Sequence, residues 1–275
     1  TTYFVSRPDE DRVALFLKKF LPKSLVYALI RFKNVYFQQS LFKRVRAFPD
    51  RSKKFLIDQV KKELPDFDVD KHFTPSYNPW EQRMCLIPNS DFFNAIKDKS
   101  ATVVTDHIEA FEENGIKLKS GDFLEADIIV TATGLVLQNF GGVNISVNNN
   151  PVNVSETMTY KSLMYSDIPN FVNSFGYINA SWTLKADLTS TYLCRLIKHM
   201  DQNNYLSACP KKPLDVDETY DWLKDFSSGY IQRSIGLHPQ QGSKKPWVNY
   251  QDYIKDWFDV KFSKLEDGNL VFSKD

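Results

Sequence analysis

Three short stretches hold the residue types from which a site can be built. In Asp127-Ile-Ile-Val-Thr-Ala-Thr-Gly134, the β-prone run Ile128–Val130 ends abruptly in small residues and a glycine. Such a run reads as a buried parallel strand. Its small end lets a second backbone or a flat ligand come close. In open α/β sheets the ligand crevice lies at the ends of such strands. A second run, Phe171–Gly176, also ends in glycine and continues as Tyr177-Ile-Asn-Ala-Ser-Trp-Thr-Leu-Lys185. A strand that leads straight into a helix start presents free backbone N–H groups, which favour negative charge or a carbonyl oxygen. The same spacing also fits an ordinary βα unit. The third stretch, Pro75–Pro88, is stiffened by prolines and places Arg83 among apolar neighbours. A fixed guanidinium stabilises an anion or holds a phosphate, or it closes an interface ion pair.

Other chemistries lack their residues. His72, His107, His199 and His238 show no metal-ligand spacing, so no metal is expected. There is no nucleophile elbow, no phosphate-binding Walker loop and no G-x-G-x-x-G. Cys85, Cys194 and Cys209 are scattered and odd in number, which suits a reducing, cytoplasmic setting rather than a disulfide framework.

These stretches need elements to hold them. Pro8–Asp11 reads as a helix start with acids in its first turn. Pro22 breaks that run, Lys23–Phe48 reads as one or two helices, and Pro49 opens another that ends before Pro65. The first 65 residues are therefore expected to be helical. Phe67–Pro88 reads as a long functional connection, and Asn89–Asp91 as the cap of a short helix to about Asp98. Strand signals follow at 101–105, 108–112, 116–119 and 127–131, with turns at Asn114-Gly115 and Ser120–Asp122. Residues 139–154 read as loops with short strands. A helix capped at Ala180, Ser181 or Thr183 is expected to run to about Met200, and another to cover Tyr220–Tyr230. The tail from Gly236 reads as loops with a closing hairpin near Asp267-Gly268.

Composition sets bounds. Of 275 residues, 42% are hydrophobic and 25% charged, as in an ordinary globular protein. The 21 Phe, 13 Tyr and 5 Trp suit either flat-ligand pockets or a bulky core. No apolar run approaches the roughly 20 residues of a membrane span. The net charge of +1 hides an asymmetry, because residues 1–65 hold 15 Lys and Arg against 6 Asp and Glu. A basic, aromatic-rich segment suits nucleic acid, anionic lipid or a phosphate-bearing cofactor, or it is a solvated face. Weak contact with a membrane surface through Phe16–Phe48 is one such reading.

Taken together, Tyr77-Asn-Pro-Trp-Glu-Gln-Arg83 to Pro88, Asp127–Gly134 and Gly176–Asp187 resemble the C-terminal two-thirds of a Baeyer–Villiger monooxygenase. The branch is the ethionamide-activating type, which Ser228–Arg233, Gln241–Ser243 and Pro246-Trp247 also resemble. The resemblance implies an α/β fold built as part of a two-dinucleotide-binding, Rossmann-like flavoprotein. Residues 1–131 would be the C-terminal part of the NADPH-binding domain, with a helical insertion at about 8–65. Residues 132–275 would be the C-terminal part of the FAD-binding domain. It implies FAD and NADPH as cofactors, and O2 with a ketone or a sulfide as substrates.

The resemblance also assigns roles. Arg83 matches the arginine that stabilises an anionic oxygen nucleophile beside the flavin. Gln82 would lie near the nicotinamide nucleotide, and Thr133 and Gly134 at the crossing between the two domains. Asn179, Ser181, Trp182 and Thr183 would sit at the pyrimidine side of the flavin ring. The basic segment then belongs to the helical insertion, which argues against nucleic acid as a partner. The chain departs from the family in lacking both Gly-rich loops and the fingerprint F-x-G-x-x-x-H-x-x-x-W/P. It is therefore expected to be an incomplete chain whose N-terminal portion acts as its partner. The alternatives are an N- or S-oxygenating flavin enzyme and a cofactor-free binding module.

Overall fold

A computed structural model describes residues 2–212, 217–219 and 226–274. The chain divides into two compact units: Thr1–Lys33 with Lys43–Leu135, and Asn34–Phe42 with Val136–Asp275.

The first unit is organised by a parallel pair, β1 (Phe4–Arg7) and β2 (Cys85–Pro88), in register from Phe4↔Cys85 to Arg7↔Pro88. Parallel strands need a long crossover, and here it contains four helices. These are α1 (Arg12–Leu17), α2 (Lys23–Ala47), α3 (Pro49–Glu63) and α4 (Val69–His72). Asp11 caps α1 by accepting from the Val13 and Ala14 N–H groups. Pro22 separates α1 from α2, a single helix of 25 residues without an acidic side chain. Pro49 opens α3 at its first turn, where a missing N–H costs nothing. Val60 and Leu64 then face Val69, Phe73, Ile87 and Phe93 in the core of the unit. A short helix, α5 (Asp91–Lys97), follows β2. An antiparallel meander comes next, of β3 (Ile108–Glu112), β4 (Gly115–Leu118) and β5 (Phe123–Glu125). Gly115 is required in it, since a Cβ there would lie 2.0 Å from the Leu124 carbonyl oxygen.

The second unit is built around α6 (Trp182–Asn203). Leu184, Leu188, Tyr192 and Leu196 recur every four residues on its buried face. The helix ends at Asn204 in the left-handed conformation, φ 57°. Two short hairpins precede it, β6 (Ser146–Val147) with β7 (Asn150–Pro151), and β8 (Thr159–Tyr160) with β9 (Met164–Tyr165). β10 (Ser207–Pro210) follows α6, and β11 (Glu218–Thr219) comes next. After helix α7 (Gly229–Ser234), β12 (Gln241–Gly242) pairs antiparallel with β11. Helix α8 (Tyr253–Phe262) packs on α6, and β13 (Leu270–Ser273) pairs antiparallel with β10.

The contact between α6 and α8 is fixed by charge inside an apolar core. Lys185 Nζ donates to Asp256 Oδ2 at 2.8 Å, and Tyr177 Oη donates to the same oxygen at 2.6 Å. Burial and the Asp256 carboxylate both push the Tyr177 phenol far above its ordinary range.

Several expectations are corrected. Asp127–Thr131 forms no strand, and Ile128 is 82% and Val130 84% exposed. No strand among the described residues lies beside it to complete a ladder. Phe171–Gly176 and residues 101–105 likewise form no strand. The first 65 residues are not wholly helical, because β1 precedes the helices. The closing hairpin is absent, as β13 turns back onto β10 instead. Of the expected 220–230 helix, residues 220–225 lie outside the described residues, and the described helix begins at Gly229. Helix α8 was not expected at all.

Removing one partner of the buried pair strands a charge, which costs about 3–5 kcal/mol. Lys185→Met is expected to lower unfolding free energy by that order in urea titration. Lys185→Met combined with Asp256→Leu is expected to recover a large part of it.

Candidate functional site

The candidate site in the second unit is the turn from Gly176 into α6. Its backbone is held by Gln251, itself at φ 47°. Gln251 Oε1 accepts from Ile178 N at 2.9 Å, and the Gln251 carbonyl accepts from Asn179 Nδ2 at 2.8 Å. Gln38 Nε2 donates to the Asn179 carbonyl at 3.3 Å. Asn179 is buried, and its Oδ1 finds no donor among the described residues. A buried acceptor left without a partner costs about 1–3 kcal/mol.

The helix start beside it is open. No side chain caps the first turn of α6, because Ser181 Oγ pairs with Thr183 Oγ1 at 2.8 Å instead. The N–H groups at the head of this helix of 22 residues carry the positive end of its dipole. Trp182 folds its indole back over Gly176 and against Phe175, with ring centroids 5.3 Å apart. A Cβ at residue 176 would lie 2.1 Å from Trp182 Cγ, so only glycine fits under the indole.

Trp182 and Phe175 also form part of the wall of a cavity of about 250 Å3. Phe140 and Tyr165 meet edge to face on another side, 5.3 Å apart. Burial pushes the Tyr165 phenol up to about 12, against the opposing effect of Asn173 Nδ2, which donates to it at 3.0 Å. His238 closes the cavity near Phe175, with ring centroids 5.8 Å apart. Burial holds its imidazole below the ordinary value.

Gln82 and Arg83 belong to the first unit. They close a tight turn in which Asn78 N and Nδ2 donate to Glu81 at 2.8 and 2.9 Å. The backbone donation from Asn78 is the main cause that holds the Glu81 carboxyl low. Tyr3 Oη anchors the turn by donating to the Tyr77 carbonyl at 2.6 Å. Thr2 Oγ1 donates to the Arg83 carbonyl at 3.1 Å, two residues ahead of β2. The Arg83 side chain is exposed, and among the described residues no carboxylate pairs with it. The ion-pair reading of this arginine is therefore not met within the described residues. Thr133 and Gly134 lie at the end of the same unit, exposed, with Gly134 at φ 113°. The expected site residues thus fall into two sets, Gln82, Arg83, Thr133 and Gly134 in one unit and Asn179 to Thr183 in the other.

Sequence reading found the turn but missed what holds it. Gln251 lies 72 residues beyond Asn179, and Thr159 and His238 of the cavity lie well outside the local sequence around Trp182. No local pattern joins them. A signal was present only in the polar cluster Asn249-Tyr250-Gln251-Asp252 ahead of an apolar run, which is a helix-start pattern.

Comparison with known proteins bears directly on the class that the motifs resemble. No family model matches the chain. An FAD-containing monooxygenase of Mycobacterium tuberculosis, EthA, is 44% identical over 99% of this chain and 56% of its own length. A probable FAD-binding monooxygenase of an Acinetobacter species, AlmA, is 40% identical over 99% of this chain and 55% of its own. The putative FAD-containing monooxygenase MymA of M. tuberculosis is 39% identical over the same shares. The chain is thus homologous, over almost all its residues, to part of the FAD-containing monooxygenases of the EthA type. It spans about 56% of the length of the EthA sequences it matches.

The His238 shift sets a pH dependence. Its folded value lies below the unfolded one, so the unfolded chain binds the extra proton. The stability from the buried neutral ring is present above the unfolded value of about 6.5. It is lost as pH falls through that value towards the folded one. Urea midpoints measured from neutral to mildly acid pH are expected to fall more steeply for the native chain than for His238→Asn.

Proposed function

We propose that the protein to which this sequence belongs is an FAD- and NADPH-dependent monooxygenase. It would insert one oxygen atom of O2 into a ketone to give an ester or lactone, and would also oxidise soft sulfur atoms. The observation that carries this reading is 44% identity, over 99% of the chain, to a protein named an FAD-containing monooxygenase. In the same reading, residues 1–131 are the C-terminal part of the NADPH-binding domain and 132–275 that of the FAD-binding domain, both Rossmann-like. The parallel β1–β2 pair with its helical crossover supports the first assignment. The exposed apolar residues of Asp127–Gly134 suit a strand laddered into the sheet of a longer chain, and the remaining portion of the protein is the partner proposed for it.

The residues present fit the cofactor. Asn179 Oδ1 is a buried acceptor without a partner among the described residues, and Gly176 leaves room for the indole that walls the turn. Bound there and reduced by NADPH, FAD would supply the activation of O2. The chain's own residues would then orient and stabilise. Asn179 would hold the polar edge of the ring, and Ser181 to Thr183 would present the N–H groups of α6 to negative charge on it. Trp182 would exclude water from one face. Arg83, a guanidinium on an anchored turn with no carboxylate partner among the described residues, would stabilise an anionic oxygen by preorganised charge. Gln82 would contact the nicotinamide nucleotide, and Thr133 and Gly134 would pass between the domains.

In the FAD-loaded protein, a phenyl ketone is expected to accelerate NADPH consumption and give an ester. Loss of one preorganised donor of this kind costs about 10²–10³ in rate. Arg83→Ala is therefore expected to keep NADPH-dependent flavin reduction and lose ester formation by about that factor. An unchanged ester yield removes Arg83 from the role, and the absence of any ketone-dependent turnover removes the Baeyer–Villiger reading. A sulfide substrate run in parallel separates it from purely S-oxygenating chemistry.

A further inference from the structure

Helix α8 packs on α6 by one face and leaves another in solvent. Tyr253, Asp256 and Val260 are buried. Ile254, Phe258 and Phe262 recur every four residues along the outer face and are 38%, 56% and 67% exposed. Trp257, half-buried beside that row, ties it together. Its ring lies 4.9 Å from that of Phe258 and 5.4 Å from that of Phe262, and those two lie 5.9 Å apart. Four apolar side chains on successive turns of one helix form a patch rather than a scatter, and such patches mark contact surfaces.

Charge is sorted across the same helix. Residues 244–264 hold five lysines and three acids. The acids are turned inward. Asp252 caps α8 by accepting from Ile254 N and Lys255 N, and Asp256 holds Lys185 and Tyr177. Asp259 lies 3.8 Å from the buried Lys161 ammonium. All five lysines, Lys244, Lys245, Lys255, Lys261 and Lys264, are exposed. Lys261 Nζ stands over the Trp257 ring at 5.0 Å and Lys255 Nζ over the Tyr250 ring at 4.9 Å, so cationic heads border the aromatic row. The whole chain has a net charge of only +1, so this face is basic by local sorting and not by overall composition.

The sorting decides between occupants. A second copy docking through the same face would bring two sets of lysines together, which like-charge repulsion opposes. Aromatic rings turned outward, lysines around them and acids withdrawn beneath make the composition of a helix lying in the interface of an anionic bilayer. There the rings sit at headgroup depth, the lysine stems cover apolar surface and the ammonium heads reach the lipid phosphates. We propose that α8 docks the protein on an anionic membrane surface. Ile254, Phe258 and Phe262 enter the headgroup layer, and Lys255, Lys261 and Lys264 bind its phosphates. The contact is peripheral, since no helix among the described residues is long and apolar enough to cross a membrane.

The test is flotation of the full-length protein with phosphatidylcholine vesicles, and with vesicles in which part of that lipid is replaced by phosphatidylglycerol. Flotation is expected with the second kind only, and is expected to fall as salt is raised. Lys255→Gln, Lys261→Gln and Lys264→Gln together are expected to weaken it about 100-fold, at about five-fold per lysine. Phe258→Ser with Phe262→Ser is expected to weaken it roughly ten-fold. Phe20→Ser with Phe32→Ser, in the basic helices of the first unit, is the control and is expected to change nothing. Circular dichroism confirms that each variant is folded. Equal binding to both kinds of vesicle, or no flotation at all, overturns the proposal. So does loss of flotation through Phe20 and Phe32 with the α8 variants unaffected. Retention on immobilised polyglutamate without flotation, lost in the lysine variant, overturns it in favour of an acidic protein partner. A dimer that sedimentation shows and Phe258→Ser with Phe262→Ser dissolves, again without flotation, overturns it in favour of a second copy. No turnover enters these measurements, so their failure leaves the monooxygenase reading untouched.

Discussion

The second unit depends on one buried carboxylate. Asp256 takes both the Lys185 ammonium and the Tyr177 hydroxyl on a single oxygen, at 2.8 and 2.6 Å. Lys185 comes from the first turn of α6, Tyr177 from the turn that feeds it, and Asp256 from α8. Two adjoining segments and a third more than 70 residues later are thereby fixed at one point. Such a pair adds less to stability than apolar packing of the same volume would. What it supplies is geometry, since a carboxylate accepts only along defined directions whereas methyl groups slide. The open helix start lies within one turn of that point, and Gln251 extends the same hold to Asn179.

The site is assembled by subtraction as much as by addition. Gly176 lacks the Cβ that would strike Trp182, α6 lacks a side-chain cap, and Asn179 Oδ1 and Thr159 Oγ1 lack partners among the described residues. Omissions at the turn into α6 are the mark of a surface shaped for something other than itself.

Helices were largely legible in the sequence because their signals are local. Asp11, Pro22 and Pro49 each mark a boundary through a cap or a missing N–H, and Ser181 through its place just ahead of the helix. The turn into α6, with Asn179 and Trp182, was legible for the same reason, and the family resemblance sharpened it. Strands were legible only where a hairpin closes nearby, as at Asn114-Gly115. Ile128–Val130 has the composition of a strand, but a strand exists only when a neighbour accepts its hydrogen bonds, and none among the described residues does. β13 was assigned the wrong partner because a turn signal at Asp267-Gly268 says nothing about β10, some 60 residues earlier. Helix α8, Gln251 and the cavity around Thr159 and His238 depend on such distant pairing and were not foreseen.

The exposed stretch from Ile128 to Val136 has a colloidal consequence. Nine residues in succession carry neither charge nor proline, and most of them stand in solvent. Their backbone groups are unladdered among the described residues, and their side chains favour the β conformation. A segment of this composition pairs with any edge offered to it, including the same segment of another molecule. Lysines or prolines normally guard such edges, but here the nearest charge is Asp127 at one end. The solubility of this chain at high concentration is therefore governed by one short stretch of backbone rather than by its balanced net charge.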